Sequence, residues 1–157
     1  MKLFNKFFVW LLSIVALLFG IFVFLKQKKS GNDNGKNNPM FIEYSLKNDW
    51  KGAIRPHNGS RFDNFSNVKY GLRAGRIIIQ NYSKRGLNTI KKIISTWAPP
   101  VENNTDKYVK FVSSSMGIGE DVDIDVFNDD VMFLLMRAMC KMESNYNLTK
   151  SKYYEIV

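Results

Sequence analysis

The order of apolar and polar positions divides this chain into a long apolar run, a polar gap and a stretch with helical spacing. Residues 7–25 are apolar or small throughout, apart from Ser13. A helix over that run is about 28 Å long, enough to cross the hydrocarbon core of a bilayer. Lys2 and Lys6 precede it and Lys26, Lys28 and Lys29 follow, so nearly balanced basic flanks leave its orientation open. A cleavable signal peptide has a shorter apolar region and a small-x-small site after it, whereas here Leu25 leads straight into Lys-Gln-Lys-Lys. The expectation is an uncleaved single-pass transmembrane anchor with basic flanks over residues 1–29. Residues 30–38 (SGNDNGKNN) contain nothing apolar to bury and read as a flexible linker.

The pattern changes after Pro39. Residues 40–44 form a short strand candidate. Residues 50–54 and 61–65 can pair as a β-hairpin, with Asn58-Gly59 supplying the positive φ angles of a type I′ turn. Helical spacing then takes over. Leu72, Ile77, Ile79 and Tyr82 mark a first helix, with Phe65 and Tyr70 as a hydrophobic staple about a Ser66 cap and Gly86 as the stop. Ile90, Ile93, Ile94 and Trp97 mark a second, capped by Asn88 and ended by Pro99-Pro100, which cannot continue a helix. Tyr108, Val109, Phe111, Val112 and Met116 give a third, stopped by Gly117. Residues 131–142 are apolar nearly all round, broken by Arg137 and Lys141, which places that helix at the centre of the core with Asn128 as its cap. The predicted class is mainly α (α+β): a transmembrane helix, then a small helical domain over residues 39–148 with a short hairpin. Residues 149–157 form a polar and aromatic tail with no assigned role.

Charge is unevenly placed. Six lysines face one acid in residues 1–36, eleven Lys and Arg face three acids in 37–100, and six face ten in 101–157, within a net charge of +9. The basic middle suits an anionic partner, such as nucleic acid, anionic lipid or a wall polymer. A solvated helix surface explains the same charges, and nucleic acid is not the expected partner. Cys140 is the single cysteine and His57 the single histidine, so neither an internal disulfide nor a Cys-rich zinc site is available. Asp121-x-Asp123-x-Asp125 echoes a calcium loop, but Val126 and Met132 occupy its glycine and bidentate-Glu positions. No metal and no cofactor is expected.

The strings YGLRAG, GLNTI and WAPPxENxT, with Asn38-Pro39 and Trp50-Lys51-Gly52 upstream, resemble a family of virion structural proteins of tailed phages and prophages. The resemblance covers roughly residues 37–145. It implies virion components as partners and a virion-associated location. It also implies kinship with lysozyme-like, peptidoglycan-degrading modules, hence a soluble domain on the outer (periplasmic or extracellular) side of a membrane, in contact with peptidoglycan.

Glycan cleavage of that kind needs a carboxylic acid kept protonated beside the glycosidic oxygen. Glu143 is the first candidate. It ends an apolar helix, where a negative charge is disfavoured. Glu143-Ser144-Asn145-Tyr146 also resembles the Glu-Ser-x-aromatic string of lytic transglycosylases, although there the glutamate helix precedes the substrate-binding region and here it comes last. Glu102 is the second candidate acid. Trp97, Tyr70, Arg73, Asn103 and Tyr108 complete the expected substrate-binding constellation, Trp97 as a stacking surface for a sugar face. The competing expectation is a non-catalytic virion or envelope structural protein that uses the same fold as an interaction module, with Trp97 closing the core.

Overall fold

In the computed structural model the described residues are 35–101 and 104–157. The anchor expected over residues 1–29 and the first part of the linker lie outside them. Among the described residues, no helix is long and apolar enough to cross a membrane.

Five helices follow one another among these residues: α1 (Val68–Ser83), α2 (Ile90–Trp97), α3 (Thr105–Met116), α4 (Asp129–Ser144) and α5 (Lys150–Tyr154). Each starts where a short polar side chain satisfies a free N–H group. Asn67 accepts from Lys69 N–H on α1, one residue after the expected Ser66. Thr89 caps α2 in place of Asn88. The Asn88 side chain instead accepts from the Ser83 hydroxyl, and its carbonyl takes Ile124 N–H. Asn104 and Asn128 cap α3 and α4. Gly86 and Gly117 adopt positive φ just past α1 and at the end of α3, as their positions predict.

Helix α4 buries Met132, Phe133, Leu135, Met136, Ala138, Met139 and Cys140, and leaves Leu134, Arg137 and Lys141 as its outer stripe. It packs chiefly against α3, which packs in turn on α2, while α1 meets α2, α4 and α5. The central placement read from its pattern is therefore observed. Burial pushes the Cys140 thiol up to about 12, so it stays a protonated core group.

The predicted hairpin does not form. Residues 61–65 lie between two other extended segments, with single antiparallel bridges at Glu43–Phe62 and Ala53–Phe65. Ile54 N–H reaches Asn64 O at 2.8 Å and Tyr44 N–H reaches Arg61 O at 3.0 Å, without a continuous ladder. Of the pair at the expected turn only Gly59 has positive φ, so the turn is not type I′. Pro56 has no N–H to donate, and the side chains of His57, Asn58 and Ser60 capture backbone groups that a ladder would use. Arg55 crosses this loop to the fully buried Asp63 at 2.7 Å.

Residues 36–38, counted with the linker by composition, belong to the fold. Phe65 N–H donates to Lys36 O, and the Asn38 amide joins Ile42 O and Asp63 O while accepting from Ile42 N–H. Polar side chains made them look solvated, but the Asn37 and Asn38 amides are hydrogen-bonded to the fold, and Lys36 joins through its backbone. The tail likewise packs. Tyr153 of α5 is buried edge-on against Phe133, and its hydroxyl donates to Asp129 at 2.8 Å beside Arg76.

Candidate functional site

Three helices converge on one carboxylate. The last turn of α4 presents Glu143, whose Oε1 accepts from Trp97 Nε1 at 2.9 Å and from the Tyr108 hydroxyl at 3.0 Å. Trp97 ends α2, where Ala98 and the two prolines stop the helix, and Tyr108 stands one turn into α3. Thr105 Oγ1 donates to Ala98 O at 2.6 Å and fixes the corner between those helices.

Both hydrogen bonds fall on the same oxygen. Oε2 of Glu143 accepts none from a described residue. Burial raises the Glu143 carboxyl above the usual range, and the two donors offset that only in part. Tyr108 is held up more strongly, by burial first and then by Glu143, so its hydroxyl remains a donor.

Glu143 lines an open cleft of about 900 Å³. Trp97 lines it with Ile78 and Tyr82 of α1, and Tyr82 meets Trp97 edge to face at 6.5 Å between ring centres. The extended segments contribute Phe41, Glu43, Tyr44, Asn48, Arg61 and Phe62 to its lining. There Arg61 reaches Glu43 through Nε at 2.9 Å and Nη2 at 2.6 Å. His57 stacks on Tyr44 at 3.6 Å, and its Nδ1 accepts from Gly59 N–H, which leaves Nε2 to donate to Phe62 O.

Of the residues singled out in the sequence, Trp97, Tyr108 and Glu143 thus come together. Tyr108 supports Glu143 from within the core and does not line the cleft. Tyr70 and Arg73 are elsewhere, because Ile78 and Tyr82 occupy the face of α1 that turns to the cleft. Tyr70 packs over Gly52, and Arg73 is exposed. Glu102 and Asn103 lie outside the described residues. The cleft residues that sequence reasoning missed, above all Glu43, Tyr44 and Arg61, sit on the segments 40–44 and 61–65, read as short strands but carrying no motif that points to chemistry. Among the described residues no group of three or more His, Cys, Asp or Glu could hold a metal ion.

The glycines of YGLRAG have a packing explanation. A methyl group at Gly71 would strike the Asn37 carbonyl and one at Gly75 would strike Met40, so both admit the segment 37–40 against α1. The basic middle is not one free stripe either. Lys91 lies 3.7 Å from Asp121, and Arg85 lies over Tyr82 and donates to Asn81 O.

No family model matches this sequence. Among known proteins the chain is similar to Protein P5 of Pseudoalteromonas phage PM2, with 33% identity over 114 residues, 71% of this chain and 69% of the relative.

Proposed function

Because the chain belongs to the family of Protein P5 of Pseudoalteromonas phage PM2, we propose that it is a structural protein of a phage virion. The observation that supports this reading is the similarity itself, which extends over more than two thirds of each chain. The helical domain is then an interaction module held among other virion components, and residues 7–25 attach it to a membrane with the domain on the outer side. The test is to purify particles, separate them by density, and probe the fractions for the chain before and after detergent extraction. Co-migration with particles and release by detergent are expected. Absence from purified particles overturns the virion assignment, and release by salt alone overturns the anchor.

One observation favours a second reading, action on wall peptidoglycan at the same domain. Glu143 has the setting of a general acid: raised by burial, held by two donors, and among the residues that line an open cleft. Glu143→Gln keeps an acceptor for Trp97 and Tyr108 but cannot donate a proton. It is expected to abolish release of soluble fragments from purified peptidoglycan without changing the fold. Equal release by both proteins removes Glu143 from the chemistry and leaves Glu102 as the next acid to test.

A further inference from the structure

The cleft that Glu143 lines has a chemical character of its own. It is wide and open, so it does not enclose an acyl chain or a small apolar molecule. Its lining combines aromatic rings with groups that can donate or accept hydrogen bonds. A ligand that suits both must carry an apolar face and a rim of polar groups.

Charge narrows the class further. Arg61 is the sole cation among the described residues lining the cleft, and Glu43 holds it in a forked contact. Glu43 and Glu143 are the acids there, and burial favours the neutral form of Glu143. A phosphate, a nucleic acid or an anionic polymer would meet no excess positive charge.

Backbone geometry adds an independent sign. Phe41 has φ 48°, a left-handed conformation that a bulky residue rarely adopts. It is kept there by its N–H on Asn38 O at 3.1 Å and by the Asn38 amide clamp on Ile42. The outcome is a half-buried phenylalanine ring on the cleft wall, packed at 5.3 Å against Phe62. Strain of this kind gathers at binding sites.

We infer that this cleft binds a neutral saccharide, with Phe41 and Trp97 offering apolar surface and Asn48, Glu43, Arg61 and Glu143 meeting its hydroxyl and amide groups. The inference deepens the peptidoglycan reading given above and rests on it for the choice of probe. It requires binding and does not require cleavage.

The probe is chitotetraose, titrated by calorimetry into the purified full-length chain, with a DNA dodecamer as the anionic comparison. Saturable chitotetraose binding is expected, weakened about tenfold by Trp97→Phe through loss of indole contact. Asn48→Ala, at a partly exposed position away from the core, is expected to weaken it as well while leaving the thermal transition in place. Lack of saturable binding at millimolar sugar overturns the inference, as does binding that neither variant changes. Binding of the dodecamer in preference to the sugar overturns it too. Sugar binding without release of peptidoglycan fragments upholds the saccharide site and removes only the cleavage reading.

Discussion

Trp97 and Glu143, 46 positions apart in sequence, share a 2.9 Å hydrogen bond at the point where α2, α3 and α4 meet. Tyr108 adds a second donor to the same oxygen. One carboxylate therefore ties three helices together, on a residue that also lines the cleft. Packing and candidate chemistry meet in a single side chain, so substitutions there must be read for both.

That arrangement sets a pH dependence. Burial holds the Glu143 carboxyl above its ordinary value of 4.5, so the folded chain keeps this proton after the unfolded chain has released it. Its contribution to stability is then highest below the ordinary carboxylate range, declines as pH rises through the interval, and levels off above the raised value. Subtracting the Glu143→Gln profile from that of wild type, by urea denaturation at about pH 4 to 7, should expose this decline. Parallel profiles would show that the carboxyl is not raised.

Leu135 is fully buried on the helix that the others surround. Leu135→Ala should cost about 2–5 kcal/mol, as a transfer loss plus a cavity. The exposed Leu134 beside it is the internal control, and Leu134→Ala should stay within about 0.5 kcal/mol. Equal effects in the two variants would mean that α4 is rotated from the orientation described.

Gly71→Ala places a methyl group against the Asn37 carbonyl, a backbone atom that cannot swing aside. The expected cost is about 1–3 kcal/mol from overpacking, although alanine is the better helix former. Faster hydrogen exchange at Ile42 and Phe65 should accompany it, because the segment they pair with is the one displaced. A variant more stable than wild type, with protection unchanged there, counts against the close approach.

Tyr153→Phe removes the hydroxyl that donates to Asp129 and lies 3.4 Å from Arg76 Nε, but keeps the ring against Phe133. Asp129 is partly open to solvent and retains its 3.0 Å pair with Arg76, so the loss should be about 1.5–2 kcal/mol, the lower part of the range for charged partners. The carboxyl of Asp129, held low by that hydroxyl first and Arg76 second, should titrate at higher pH in the variant, as carbon-detected NMR can follow. An Asp129 titration unmoved by the substitution would place the hydroxyl elsewhere.

Helical periodicity and stop residues made α1 to α4 legible in the sequence. Apolar positions three and four apart have one economical solution, a buried face, and Gly117 and the paired prolines end helices by local sterics alone. Cap choice was less legible, because Ser66, Asn67, Asn88 and Thr89 all suit the role and only the observed helix starts decide among them. The motif glycines were visible, while their purpose was not. Gly71 and Gly75 are explained by Asn37 and Met40, residues far enough upstream that no local rule connects them.

The sequence alone determined the helical class and the central helix, since each follows from spacing, and it offered Glu143 as a candidate acid from its place at the end of an apolar helix and a short resemblance. Tertiary structure decided the rest. It replaced a hairpin with isolated bridges, drew residues 36–38 and 150–154 into the domain, and moved Tyr70 and Arg73 away from the cleft that Glu43, Tyr44 and Arg61 complete. Those outcomes depend on contacts between segments tens of residues apart. Side-chain hydrogen bonds there satisfy groups that composition alone assigns to solvent or to a ladder.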